Sequence, residues 1–107
     1  MKETTSFIEF FGDCPRIRVL DFLLTFQLFE YPLREIANNS KVKYSTFKKF
    51  CKDWVKNEII IRTRKLKNLN LYKLNTKNLK VKKLIELDNM LLLDSFNKIE
   101  HKVKVIA

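Results

Sequence analysis

The sequence predicts a mainly α-helical fold with one small β-hairpin and a long C-terminal helix. Three observations lead to this prediction. Apolar residues recur at helical spacing in several segments. Two short runs typical of β-strands lie close together within residues 59–74. A broad apolar arc then continues from residue 79. The 107 residues are enough for one domain, or for one domain with an appended helix, but not for two independent cores.

The N-terminal part of the chain predicts a short aromatic segment and two helices. In residues 4–11 the periodicity does not decide between a strand and a helical turn. Asp13 is the predicted N-cap of a helix that continues to about Phe29, with Pro15 in its first turn. The residue before a proline avoids the helical region, so Tyr31 and Pro32 mark a break in the helix. A second, short helix is predicted from residue 32 to residue 38 or 39.

The segment from Tyr44 to about Lys56 is the most clearly amphipathic part of the chain. At 100° per residue its apolar side chains fall within an arc of roughly 140°. We expect this arc to face the core, and the opposite arc to be the candidate binding surface. Val42 is a predicted buried plug in the preceding turn. The inward arc consists of Phe47, Phe50, Cys51, Trp54 and Val55, and the outward arc of Ser45, Lys48, Lys49, Lys52 and Lys56.

A hairpin and a last helix are predicted after this segment. Residues 59–64 and 69–74 predict two strands, and which face of the second strand is buried stays open. The predicted basic tip between them consists of Lys65, Leu66, Lys67 and Asn68. Asn75 to Asn78 should cap a helix that begins at Leu79 and continues to about Lys98 or further. Its apolar arc spans roughly 180°, which is too wide to be covered by one small domain, so a partner chain is expected.

The basic residues are concentrated in the middle of the chain. Residues 41–83 contain fifteen basic and two acidic residues, whereas residues 1–40 carry a net charge of −2 and residues 84–107 a net charge of −1. A local excess of this size favours a polyanionic partner, with nucleic acid first and an acidic membrane second. The alternative is a solvated basic face without a partner.

Several classes of function are disfavoured by composition. The single glycine, Gly12, excludes glycine-rich phosphate loops. Cys14, Cys51 and His101 lack the spacing of a zinc site, and two buried free thiols in a reducing compartment are expected. No Ser–His–Asp set is present, so we expect no enzyme, no cofactor and no metal. No apolar run is long enough to span a bilayer and Met1 to Thr4 lacks a signal-peptide core, so a cytoplasmic protein without a membrane span is expected.

Three short segments carry a resemblance to a known family. They are Leu33–Ala37, Val42–Phe47 and Trp54–Ile60, in the order helix, turn with helix start, and helix end with strand. These segments resemble the winged helix-turn-helix regulators, especially small MarR- and ArsR-like proteins of archaea. The resemblance covers roughly residues 14–75, and Asn57 stands where the family often has glycine. It implies a DNA-binding domain over residues 1–77 and a dimerisation helix with a tail over residues 78–107.

The resemblance implies a dimeric transcriptional regulator that binds double-stranded DNA sequence-specifically. The recognition helix would enter the major groove and the basic wing would contact the flanking backbone or minor groove. Thr46 has a rival role as a capping hydroxyl, and Tyr44 a rival role in the core. The expected DNA contacts are Tyr44, Ser45, Thr46, Lys48, Lys49 and Lys52 on the recognition helix, Arg62, Arg64, Lys65 and Lys67 on the wing, and Arg34, Lys41 and Lys43 beside them. The expected dimer interface is Leu84, Leu87, Leu91, Leu92, Phe96 and Ile99.

Two other classes of function remain open. The same fold can be a DNA- or protein-binding component of a plasmid partition or replication complex, or it can bind RNA.

Overall fold

Four helices precede a two-stranded hairpin and one long helix follows it. The computed structural model describes the backbone of residues 4–106 and the side chains of residues 4–97. The mainly helical fold with one antiparallel hairpin and a long C-terminal helix is therefore as predicted. The elements are α1 (Ser6–Phe11), α2 (Pro15–Thr25), α3 (Leu33–Asn39), α4 (Tyr44–Lys56), β1 (Ile60–Leu66), β2 (Leu69–Leu74) and α5 (Leu79–Ile106).

The core lies where α2, α3 and α4 pack on one another and on the base of the hairpin. Each helix contributes the apolar side of its amphipathic pattern, since burial of that side removes apolar surface from water. The hairpin contributes the buried side chains of Ile60 and Leu74 to this core, and α1 and α5 contribute those of Phe7 and Val81. The most completely buried large side chains are Phe7, Val19, Leu23, Ile36, Phe47, Ile60, Leu74 and Val81.

The N-terminal segment is a helix, which decides the question that periodicity left open. The Thr5 hydroxyl caps it by accepting a hydrogen bond from the Ile8 amide at 3.2 Å. The prediction of Asp13 as the N-cap of α2 is wrong. Cys14 occupies that position without a side-chain cap, and the Asp13 carboxylate instead accepts two hydrogen bonds from Arg18, at 2.6 and 2.8 Å. The prediction of two buried thiols is also wrong for Cys14, which is exposed.

Helix α2 ends at Thr25 rather than at the predicted Phe29. Polar side chains bond to carbonyls of the last turn and so compete with continued helix. The Thr25 hydroxyl donates to the Asp21 carbonyl at 2.8 Å, and the Gln27 amide donates to the Leu24 carbonyl at 3.1 Å. Leu28 therefore lies beyond the helix and is 80% exposed, although its spacing placed it on the buried face.

One arginine holds the turn that sets the start of α4. Lys41 adopts a left-handed conformation, with φ of 58°, in the turn between α3 and α4. The Arg18 guanidinium, already bound to Asp13, donates to the Lys41 carbonyl at 3.1 Å. The next residue, Val42, is buried as predicted, and its amide donates to the Ala37 carbonyl at 3.0 Å. Arg18 thus ties α2 to the turn from which α4 begins.

The hairpin is longer and its turn is tighter than predicted. Leu66 pairs with Leu69, so the tip consists only of Lys67 and Asn68, and Lys65 belongs to β1. No glycine is available there, and Lys67 takes a φ of 56°.

A bulge at Thr63 shifts the register of the two strands between Arg62 and Arg64. On β2 the buried side chains are Leu71 and Leu74, three residues apart. Simple alternation along β2 therefore does not describe which side chains face the core.

Helix α5 begins at the predicted asparagine cap. The Asn78 side-chain oxygen accepts from the Lys80 amide at 2.8 Å, and the side-chain amides of Asn75 and Asn78 both donate to the Glu58 carbonyl. These bonds fix the helix start against the end of α4. Val81 is fully buried, and further along α5 packs on α1.

The end of α2 can be tested with two leucines of opposite burial. We expect Leu24→Ala to cost about 2–5 kcal/mol of unfolding free energy, because Leu24 is 2% exposed and its loss leaves a cavity. Leu28→Ala should stay within about 0.5 kcal/mol of the wild type. Urea denaturation measures both values. Equal losses for the two variants would contradict the observed end of α2.

The role of Arg18 can be tested by amide hydrogen exchange. Arg18→Gln removes the donor to the Lys41 carbonyl, so exchange at Lys41 and Val42 should become faster while α2 stays protected. Arg16→Gln is the matched control, because Arg16 lies on the same helix but stacks on Phe50 at 4.9 Å. Unchanged exchange at the turn in Arg18→Gln would show that this arginine does not hold it.

Candidate nucleic-acid interface

Helix α4 presents two chemically opposite faces. Phe47, Phe50, Cys51 and Trp54 are buried, and the Phe50 ring lies 5.4 Å from the Phe47 ring and 4.9 Å from the Trp54 ring. Val55 was predicted on this face but is 40% exposed, since it lies at the edge of the arc. The opposite face, which we call the α4 lysine face, is exposed along its whole length as predicted. It consists of Ser45, Lys48, Lys49, Lys52 and Lys56.

Among the described residues, no lysine of the α4 lysine face forms an ion pair, although the exposed Asp53 lies on the same helix. The ion pairs found among them join Arg18 to Asp13, Arg64 to Glu30 and Lys83 to Glu86. The positive charges of α4 are therefore directed to solvent. Such charges can bind a polyanion without first breaking an ion pair.

The start of α4 carries a cluster of cations around one aromatic ring. The Arg34 guanidinium lies 4.4 Å from the centre of the Tyr44 ring, and the Lys48 ammonium lies 5.4 Å from it. Tyr44 is half-buried and packs against the core, so its predicted rival role is partly observed. Cation–π contacts of this kind are attractive and limit where the two cations can lie.

The first turn of α4 has no side-chain cap. Lys43 is the N-cap residue and makes no capping hydrogen bond with its side chain. Thr46 is half-buried, and its amide donates to the Lys43 carbonyl at 3.0 Å. Ser45 and Lys43 are exposed beside it. An uncapped helix N-terminus favours negative charge, because its amide groups point outward and the helix dipole adds to their effect.

The hairpin carries exposed cations along β1 and at its tip. We call Arg62, Arg64, Lys65 and Lys67 the hairpin cations, and all four are exposed. Arg64 follows the bulge at Thr63, and its Nε donates to the Glu30 carboxylate at 3.1 Å. The predicted site residues on the hairpin are thus accessible, but Arg64 already has a partner.

One cleft brings the hairpin tip and the start of α4 together. It has a volume of about 200 Å³ and opens to solvent between the two elements. This placement puts part of the hairpin and the first turn of α4 on the same side of the molecule, although the two segments are far apart in sequence. The lining residues are Pro32, Leu33, Arg34, Tyr44, Asn68, Leu69, Asn70 and Tyr72.

Lys41 is the predicted contact that the structure places apart. It lines a separate cleft of about 510 Å³ between α1, α2 and the turn, together with Asp13 and Asp21. Lys43 lies on the other side of the turn, in a groove of about 410 Å³ with Arg34 and Tyr44. The side chains of Lys41 and Lys43 therefore face different surroundings.

Two residues with tertiary contacts to this surface, Arg18 and Glu30, were not predicted from the sequence. Both act through contacts distant in sequence, with Lys41 and Arg64 respectively. No periodicity or motif marks such pairs. The β-bridge between Tyr31 and Tyr72 was missed for the same reason.

The predicted dimer residues have different environments on α5. Leu84 and Leu91 are half-buried and pack against the core, and Leu87 is also half-buried. Leu92 and Phe96 are exposed, at 47% and 62%, whereas the side chain of Ile99 lies outside the described residues. Among the described members of the predicted set, Leu92 and Phe96 are thus exposed to a second chain, whereas the others are half-buried.

Three further features of the described residues concern metal ligands, the Cys51 thiol and the hydropathy of the helices. No group of three His, Cys, Asp or Glu side chains that could hold a metal occurs among them. Burial raises the pKa of the Cys51 thiol, which disfavours the reactive thiolate. In the part of the chain that the structure describes, no helix combines the length and apolar character needed to cross a bilayer.

Comparison with known proteins identifies the fold. No family model matches the chain, and no curated protein matches it. Among solved structures it is similar to a "possible transcriptional regulator" from Methanosarcina mazei Go1, with a TM-score of 0.50 and 15% identity over 82% of this chain and 73% of that chain. At this identity the likeness concerns the fold alone. It is the mainly helical fold with a hairpin and a long C-terminal helix described above.

Proposed function

We propose that this protein is a dimeric winged helix-turn-helix transcriptional regulator that binds double-stranded DNA sequence-specifically. In this proposal residues 1–77 are the DNA-binding domain and residues 78–107 are the dimerisation helix and tail. The observation that carries the proposal is the cleft shared by the hairpin tip and the start of α4, beside the exposed α4 lysine face. The solved structure with the same fold, itself described as a possible regulator, is consistent with it.

In the proposed complex, α3 and α4 are the two helices of the motif and α4 enters the major groove. An α-helix with its side chains is about 10–12 Å across and the major groove is about 12 Å wide, so α4 can lie in the groove. Lys48, Lys49 and Lys52 then face phosphates and base edges. Lysine is mainly a phosphate ligand, although it can pair with guanine. We therefore assign much of the sequence preference to DNA shape.

Residues of the first turn complete the major-groove contact. Ser45 is exposed, and Thr46 and Tyr44 are half-buried beside the uncapped helix N-terminus, where a phosphate oxygen would be stabilised. Arg34 and Lys43 border the same groove. Lys41, on the far side of the turn, is proposed as a peripheral phosphate contact only.

The hairpin is the proposed wing. Its exposed cations would clamp the flanking backbone or enter the adjacent minor groove, which attracts arginine and lysine. Lys65 and Lys67 lie at or beside the tip and are exposed. Because the tip shares a cleft with Tyr44, both elements can contact one duplex without rearrangement.

The proposed dimer forms through α5. Its exposed apolar side chains include Met90, Leu93 and Phe96, each more than 60% exposed in the single chain. A soluble protein rarely exposes several large apolar side chains on one helix unless a partner covers them. A twofold dimer would place two copies of α4 about 34 Å apart, one turn of DNA, and would favour an inverted repeat.

DNA binding is tested with a triple substitution on the α4 lysine face. We expect Lys48→Ala, Lys49→Ala and Lys52→Ala together to abolish duplex binding in a mobility-shift assay at physiological salt. At lower salt, where residual binding can be measured, three fewer phosphate contacts should reduce the magnitude of the negative slope of log K against log salt by about 3. Single-stranded RNA of the same length serves as the competing ligand.

A second triple variant controls for net charge alone. Lys77→Ala, Lys80→Ala and Lys82→Ala together remove the same charge from exposed positions near the start of α5. This variant should retain most of the affinity. Equal losses for the two triple variants, or tighter binding of the wild type to RNA than to duplex DNA, would argue against the proposed interface.

The dimer is tested by sedimentation equilibrium. The wild type should have about twice the chain mass of 12.9 kDa, and Phe96→Glu should shift it towards the monomer. Leu28→Glu is the control, since Leu28 is also an exposed apolar residue but lies outside α5. A wild type that stays monomeric at every concentration would exclude the dimer.

A further inference from the structure

The loop before α3 is attached directly to the hairpin. Tyr31 and Tyr72 exchange two backbone hydrogen bonds, each of 2.8 Å, and form an isolated β-bridge. The residue before this bridge is Glu30, so its backbone has a fixed position relative to β2. A carboxylate held in this way can act as a rigid support for a side chain on the hairpin.

The carboxylate of Glu30 contacts the hairpin at its bulge. It accepts a hydrogen bond from Arg64 Nε at 3.1 Å, and its side chain is only 25% exposed. The Thr63 hydroxyl donates to the Leu71 carbonyl at 3.3 Å and lies close enough to Glu30 to influence the pKa of its carboxylate. The Thr63 hydrogen bond, followed by the positive charges of Arg64 and Lys73, lowers the pKa of Glu30, so the carboxylate is ionised at neutral pH.

The contact engages only one of the three nitrogens of the guanidinium. Nε of Arg64 points to Glu30, and the two terminal amino groups have no hydrogen-bond partner among the described residues. The Arg64 side chain is 61% exposed. A guanidinium anchored at Nε keeps a two-pronged edge free, and this edge matches the oxygens of a phosphate group.

We propose that Glu30 is a positioning residue that holds Arg64 by its Nε and presents the free edge of the guanidinium to a DNA phosphate beside the wing. This inference rests on the proposed function, because it assigns Glu30 a part in DNA binding without contact to DNA. Free arginine side chains lose rotamer freedom when they bind, and an anchored one has already lost most of it. The entropy cost avoided by this anchoring offsets the electrostatic repulsion between the Glu30 carboxylate and the DNA phosphates.

The test is Glu30→Asp, which keeps the charge but shortens the side chain by one methylene group. The carboxylate should then fail to hold Arg64, and affinity for duplex DNA should fall by about 2- to 10-fold, the range expected for ordering one long side chain. In an Arg64→Gln background the same substitution should change nothing, because no guanidinium remains to be positioned. Fluorescence anisotropy with one fixed duplex measures all four proteins.

Two controls separate positioning from damage to the fold. Glu86→Asp is the matched control, since the Glu86 carboxylate also accepts a hydrogen bond from a cation, Lys83 at 3.3 Å, but lies on α5 outside the proposed DNA-binding surface. It should leave affinity unchanged. The thermal unfolding midpoint of Glu30→Asp should stay near that of the wild type, while the Arg64 Nε–H signal in an NMR spectrum should lose its protection from exchange.

The possible outcomes are distinct. Unchanged or tighter binding by Glu30→Asp, or an equal effect in the Arg64→Gln background, overturns the role of Glu30 while DNA binding itself stands. Absence of duplex binding by the wild type overturns the proposed function, and this inference with it. Weaker binding that depends on Arg64, with the unfolding midpoint unchanged, supports the inference.

Discussion

The arrangement of this molecule depends on the burial of the aromatic stripe of α4 against α2 and α3. Phe47, Phe50 and Trp54 fill the centre of the core, and each buried side chain of this size contributes about 1.5–3 kcal/mol. A helix has two sides, so this burial directs the lysines of α4 to solvent. The cost of exposing them is small, because Lys side chains are well hydrated. The same packing that stabilises the domain therefore creates its charged surface.

Two sets of polar contacts, one before α4 and one beside the hairpin, hold these elements in place. Arg18 fixes the turn that precedes α4, and the bridge between Tyr31 and Tyr72 ties the hairpin to the loop before α3. Together they attach α2 to the turn before α4 and the hairpin to the loop before α3. Both are made to backbone groups and leave the proposed DNA-binding side chains free. Their effect on binding would come through geometry, which is how a small domain can position cations that are distant in sequence.

Local patterns predicted most of the fold, and the errors come both from side-chain bonds to nearby carbonyls and from interactions distant in sequence. The period of α4 and the asparagine cap of α5 are local signals, and both predictions are confirmed. The end of α2 was missed, because side-chain bonds from Thr25 and Gln27 to helix carbonyls override apolar spacing. The bulge at Thr63 was missed, since strand register depends on the partner strand.

The candidate site was predictable in composition but not in arrangement. Exposure of the lysines follows from the helix period, and exposure of the hairpin cations from their charge. Three features follow from tertiary structure instead. The hairpin tip and Tyr44 line one cleft, Lys41 lines another, and Glu30 accepts a hydrogen bond from Arg64. A single sequence contains no pattern that reports such distances.

The central claim is that α4 and the hairpin form one face that binds duplex DNA. An NMR titration of the isotope-labelled protein with a duplex tests it most directly, because amide shifts report the whole contact surface at once. We expect shifts to appear together at Lys48, Lys52 and Lys67, while the amides of α1 and of the exposed side of α5 remain unchanged. Shifts confined to α5, or to α4 without the hairpin, would contradict it.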